Sequence, residues 1–196
     1  MLKLAVTGGI ACGKSLVGSM LAQRGFAVCE ADDLAHREMA PGCAAFDEIV
    51  GRFGRQILGD DGRIDRVRLG RYVFADADEL AALNAIVHPR VYEAVRVWLA
   101  SQAGRAKAAA VIVPLLFETG RGDGWDAVIC VAAPLSDQLR RLAGRGLGES
   151  EARLRVAAQM PLYGKVRKAD YVLMNTGSRE ALARQLNRVI GTILET

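Results

Sequence analysis

The stretch Val6-Thr7-Gly8-Gly9-Ile10-Ala11-Cys12-Gly13-Lys14-Ser15 lies between a short apolar run and a helical pattern. Leu2 to Val6 reads as a buried strand, and Leu16 to Arg24 as a helix that stops at Gly25. Gly8, Gly13, Lys14 and Ser15 match the spacing G-x-x-x-x-G-K-[ST] of a phosphate-binding loop, in the strand–loop–helix setting that motif needs. Each residue type has a reason. Glycines let backbone N–H groups curl around phosphate oxygens with no Cβ in the way. The helix that begins there points the positive end of its dipole at the same anion. Lys14 is placed to reach the β- and γ-phosphates, and the Ser15 hydroxyl to ligate Mg²⁺. The stretch therefore predicts binding of a nucleoside triphosphate.

Composition narrows what surrounds this loop. A chain of 196 residues suits an α/β domain with insertions, and 51% hydrophobic residues argue against disorder. No apolar run approaches the ~18 residues of a membrane span, and no signal-peptide pattern precedes the loop, so a cytoplasmic location is expected. The four cysteines, Cys12, Cys29, Cys43 and Cys130, form no C-x-x-C pair, and with two histidines a structural zinc site is not expected. Cys29 and Cys130 read as core residues; amides around Cys12 favour a lowered thiol pKa, but Cys12 reads chiefly as filling a position whose side chain does not matter. The net charge of +4 is mild, and its arginines gather in segments 63–71 and 140–168. With aromatics at 6%, the basic–aromatic surface of a nucleic-acid binder is missing, and a small polyanionic substrate accounts for the balance.

Downstream of the loop helix, Phe26 to Cys29 reads as a second strand, followed by Glu30-Ala31-Asp32-Asp33 and a helix over Leu34 to Met39. Carboxylates at the C-terminal end of such a strand lie where open α/β sheets build their sites. Asp33 can cap the helix while Asp32 faces the phosphate loop as a proton acceptor; spacing alone leaves cap and base equally open. Pro41-Gly42 breaks the chain, and residues 42–102 show no convincing strand. They predict a helix over Ala44 to Phe53, a turn at Gly59-Asp60-Asp61-Gly62, and helix almost throughout from Asp65 to Gln102. A helix start is expected near Ala75 and a break at His88-Pro89, where His88 alone reads as a helix-start residue. Ala108 to Pro114 and Ala127 to Ala132 are unalternating strands, hence buried on both faces of a parallel sheet. Ser136 is placed to cap a helix to Arg145, in which Arg141 and Arg145 share a face. Gly144, Gly146 and Gly148 join it to a second helix, Glu149 to Met160; the pair reads either as a mobile lid or as a solvated charged face. Tyr171 to Met174 is a fifth strand, and an amphipathic helix from Ser178 to Leu194 closes the chain.

Taken in order, these residues resemble the dephospho-coenzyme A kinase family. The resemblance runs from Leu4 to about Gly177 and is carried by several segments. They are Thr7-Gly8-Gly9-Ile10, Ala31-Asp32, Pro41-Gly42, His88-Pro89 and Pro114-Leu115-Leu116-Phe117-Glu118. Gln138-Leu139-x-Arg141-Leu142-x-x-Arg145, Ala158-Gln159-Met160-Pro161 and Ala169-Asp170-Tyr171-Val172 with Asn175 complete the set. The resemblance implies a three-layer α/β P-loop kinase core around a parallel sheet, over about 1–41, 103–139 and 166–196. A helical substrate-side insertion over about 42–102 and a lid over about 140–165 would complete it. It implies transfer of the γ-phosphate of ATP, with Mg²⁺, to the ribose 3′-hydroxyl of dephospho-CoA, by a monomer with no nucleic-acid or membrane partner. It further implies Asp32 as base, with Lys14 and Arg141 as catalytic cations. Gly8, Ala11, Cys12, Gly13, Lys14, Ser15, Leu16, Arg145 and Asn175 would hold the nucleotide, Ser15 the metal, and Asp32, His88, Leu116 and Glu118 the acceptor. Glu30, Ala11, Leu16, Val113 and Met174 depart from the family pattern; Ala11 stands where a loop glycine is common. The competing readings are another small-molecule P-loop kinase and a regulatory ATP-binding protein.

Overall fold

The computed structural model describes residues 1–73 and 75–195; Phe74, within the stretch expected to be helical, lies outside them. Five parallel strands form one sheet in the order β2-β3-β1-β4-β5. They are β1 (Leu2–Gly8), β2 (Ala27–Glu30), β3 (Ala108–Ile112), β4 (Ala127–Ala132) and β5 (Tyr171–Met174). Each strand is the one expected, within two residues at either end. β3 and β4 are buried at every position, as unalternating apolar strands must be when both faces are covered. One face packs on α1 (Lys14–Ala22), through Val17, Met20 and Leu21, and on α9 (Arg179–Glu195), through Leu182, Leu186 and Ile190. Strand order and right-handed crossovers put every strand's C-terminal end on one edge of the sheet, which is where β1 opens into the loop.

The chain divides into two compact units, Met1–Glu30 with Gln102–Thr196, and Ala31–Ser101. The second unit takes in α2 (Ala31–Glu38). It also holds α3 (Ala44–Phe53), a 3-10 turn at Arg55–Ile57, α4 (Arg66–Val73) and nearly all of α5 (Ala77–Gln102). Its own core joins Ala45, Ile49, Phe53, Ile57, Leu69, Val73 and Val87. The turn over residues 59–62 closes on an isolated antiparallel bridge between Leu58 and Ile64.

Three local expectations are corrected. α2 starts at Ala31, so Asp33 does not cap it; Asp32 and Asp33 occupy its first turn, where carboxylates suit the dipole. The break at His88-Pro89 is absent, and α5 runs through Pro89. Proline removes the N–H that would meet the Ala85 carbonyl; at the neighbouring carbonyl, Ile86, Arg90 Nη1 donates at 2.6 Å. The helix preceding the glycines is α6 (Leu135–Ala143), capped by Pro134 and not by Ser136. It is followed by α7 (Glu149–Ala157) and by α8 (Leu162–Lys168), which was not anticipated. Pro161 stands at its N-cap, and the fixed φ of proline suits the entry to a helix. Among the described residues no helix is long and apolar enough to cross a membrane.

Candidate active site

The loop between β1 and α1 is shaped by contacts that tolerate only small residues. Gly8 has φ +141°, and a Cβ there would stand 2.1 Å from the Val131 carbonyl oxygen on β4. Gly13, the cap of α1, has φ +104°, and a Cβ there would stand 2.3 Å from Asn175 Nδ2. Ala11 is the non-glycine exception: it takes φ +56°, the left-handed region that a glycine would occupy at little cost.

Groups from other elements of the same unit hold the loop's carbonyls. Asn175, almost fully buried just past β5, donates from Nδ2 to the Cys12 carbonyl at 2.8 Å. Arg141 donates to the carbonyls of Ala11 (3.0 Å), Cys12 (3.3 Å) and Asn175 (2.8 Å). In a trans peptide the N–H points opposite to the carbonyl before it. Gripping the Cys12 carbonyl from one side thus turns the Gly13 N–H to the other. Lys14 Nζ donates to the carbonyls of Gly8 (3.1 Å) and Gly9 (2.9 Å). Gln159 Oε1 accepts the Ile10 N–H at 2.9 Å, tying the end of the α7 segment to the loop.

A second cluster lies beyond β3. Lys165 on α8 is fully buried, with Nζ 2.7 Å from Glu118 Oε1 and 2.7 Å from the Pro114 carbonyl. Glu118 Oε1 also accepts the Met160 N–H at 3.0 Å, and its Oε2 is buried without a hydrogen-bond partner. The Thr7 hydroxyl donates to the same Pro114 carbonyl at 3.4 Å. The ion pair therefore knits the ends of β1 and β3 to the α7–α8 joint.

The remaining candidates are distributed as follows. Ser15 is exposed in the first turn of α1. Mg²⁺ takes one or two protein oxygens with phosphate and water, and a hydroxyl at that position meets the need. Leu16 packs on the sheet core, so only its main chain can serve an anion. Leu116, expected as an acceptor contact, is fully buried. Arg145 is exposed and lies beyond the end of α6, so it does not share a helical face with Arg141. Asp32 and His88 belong to the second unit; Asp32 is exposed, and His88 is half-buried on α5 with its pKa lowered by burial. Cys12 is fully buried, and burial pushes its thiol pKa up against the smaller pull of Lys14. Cys130 is pushed up to about 11, also by burial. Gln159 and Lys165 were not assigned roles from sequence: a polar residue's value here lies in which main-chain group it meets.

A model of the dephospho-CoA kinase family matches residues 2–180. The chain is 43% identical over 190 residues to the dephospho-CoA kinase of Thermobifida fusca, covering 96% of this chain and 94% of that one. Among solved structures, a Thermus thermophilus protein superposes with a TM-score of 0.84 at 37% identity, over 97% of both chains. The dephospho-CoA kinase from Campylobacter jejuni gives a TM-score of 0.71 at 29% identity, over 97% of this chain and 96% of that one. Phosphate loop, parallel sheet and end-to-end similarity agree, and the chain belongs to the dephospho-CoA kinase family.

Proposed function

We propose that this protein phosphorylates the ribose 3′-hydroxyl of dephospho-CoA with the γ-phosphate of ATP, giving CoA and ADP, the last step of CoA synthesis. The observation that carries the reading is a complete phosphate loop in a chain similar to dephospho-CoA kinases along nearly its whole length. In this reading the enzyme works as a cytoplasmic monomer.

Loop amides from Ala11 to Leu16 receive the phosphates, with the α1 dipole behind them. Arg141 and Asn175 hold the carbonyls of Cys12 and its neighbours away, and the charge of Arg141 stands behind the phosphate site. Lys14 exchanges its carbonyl partners for phosphate oxygens and offsets charge spreading over the moving phosphoryl group. Ser15 would hold Mg²⁺, which would supply neutralisation of the charge that develops on the phosphates. Asp32 orients the 3′-hydroxyl and accepts its proton. Asp32 is exposed in the first turn of α2, where an acceptor can reach it. Arg145, on the segment after α6, is free of helix constraint to swing toward the nucleotide, and His88 and Glu118 serve the acceptor side.

The test is ADP release from Mg–ATP with dephospho-CoA, with adenosine and AMP as decoy acceptors. Release that requires dephospho-CoA and yields CoA is the expected result. Release with a decoy alone leaves a small-molecule kinase of another specificity. A folded, ATP-binding chain with no acceptor-dependent release overturns the reading in favour of a regulatory ATP binder.

A further inference from the structure

The helical unit holds a cavity of about 230 Å³ whose polar lining is His36 on α2, Arg63 before α4 and Arg66 at the start of α4. Met39 and Ile64 supply apolar wall. The volume is several times that of one water, ~30 Å³. Arg66 Nη1 hydrogen-bonds His36 Nε2, which ties the start of α4 to α2 at the cavity wall. Arg63 is held only loosely, its Nε 3.9 Å from Asp61 Oδ2 on an exposed turn. Both arginines line the one opening, and a guanidinium carries the planar donor pairs that bind phosphate oxygens bidentately.

The cavity is tied to the proposed base by helix geometry. His36 is four residues after Asp32 on α2, and both are exposed. Residues so spaced share a face with Cβ atoms ~5–6 Å apart. A 3′-hydroxyl and a 5′-diphosphate lie on opposite sides of a single ribose ring, so one helical turn is the offset such an acceptor requires.

We infer that His36, Arg63 and Arg66 form a diphosphate subsite that receives the 5′-diphosphate of the acceptor and so sets the 3′-hydroxyl against Asp32. This rests on the proposed activity, because it takes the acceptor to be a nucleoside 5′-diphosphate ester. It explains the arginine cluster at 63–71, which the phosphate loop leaves unused. It also predicts that a free nucleoside is a poor acceptor, because the contacts that would orient its sugar are missing.

The test uses the full chain and three variants, Arg66→Gln, Arg66→Lys and Arg63→Ala/Arg66→Gln. Calorimetry gives dephospho-CoA affinity, and initial rates give KM for acceptor and for ATP. Losing a charge-assisted hydrogen bond weakens binding by roughly 10- to 100-fold. Arg66→Gln should therefore raise the dephospho-CoA Kd and KM by about that factor with the ATP KM changed less than twofold. Arg66→Lys should fall between, since it keeps charge without the fork. The preference for dephospho-CoA over adenosine should shrink by a similar factor in the double variant. Wild-type phosphorylation of dephospho-CoA with unchanged acceptor affinity in the double variant overturns the subsite and leaves the activity standing. No CoA formation by the wild-type chain overturns the activity first. Equal losses for ATP and acceptor assign the arginines to folding and also overturn the subsite.

Discussion

Three residues carry claims that single substitutions settle. Asp32 is exposed in the first turn of α2 and is assigned to deprotonate the acceptor. Asp32→Asn keeps the shape and removes the base, so kcat should fall by roughly 10²–10⁴. ATP affinity should be nearly unchanged, which titration with a fluorescent nucleotide will read. Ala11 pays for its left-handed φ of +56° with a Cβ that glycine lacks. Relief of ~1–2 kcal/mol there outweighs the ~0.5–1 kcal/mol of added chain entropy, so Ala11→Gly should raise the melting midpoint by about 1–4 °C. His88 is a base whose pKa is lowered by burial, so the folded chain binds fewer protons than the unfolded one between the two values. Its stabilisation is complete above the ordinary histidine value of ~6.5 and is lost as pH falls toward the folded value. Thermal midpoints measured between about pH 7 and pH 5 should therefore drop less in His88→Gln than in the wild type.

At the scale of elements, α8 changes how the end of the α7 segment is understood. Its buried Lys165 pairs with Glu118, which lies in the segment after β3. Removing one member of a buried pair leaves an uncompensated charge, at a cost of about 3–5 kcal/mol. Lys165→Met should lower stability to urea by that amount, and Glu118→Gln/Lys165→Met should recover part of it. A loss in the double variant as large as the sum of the two single losses would show that the charges do not act as a pair. Meanwhile Gln159 links the adjacent residue to the Ile10 amide, so the α7 segment and the phosphate loop share an anchor. α5 makes the opposite point about element boundaries. A proline inside a 26-residue helix is tolerated because the rest of the helix packs, with Val87 in the core and Arg90 serving a carbonyl.

For the whole molecule, the two-unit division predicts that ligand protection is unequal. Mg–ATP at 100 times its Kd should stabilise the unit that holds the phosphate loop by ~2.7 kcal/mol. That is a rise of roughly 5–10 °C in its melting transition, read by scanning calorimetry. Lys14→Ala should abolish the rise.

Sequence alone determined the strands, the phosphate loop and the family. Each of these rests on local pattern: unalternating apolar runs, glycines at fixed spacing, and a helix start directly after them. Lys14, Ser15 and Asp32 were legible as candidates for the same reason, since their positions follow from one strand end and one helix start. What the tertiary structure decided depends on residues distant in the chain. Asn175 and Arg141 reach the loop from more than a hundred residues away, and no local pattern records which carbonyl they meet. Leu116 and Glu118 are two residues apart, yet one enters the core and the other pairs with a lysine on a helix not expected at all. The amides beside Cys12 favour a lower thiol pKa, but burial dominates, and burial is set by everything packed around it. Local chemistry is written in order along the chain; desolvation and main-chain partners exist only once the chain has closed on itself.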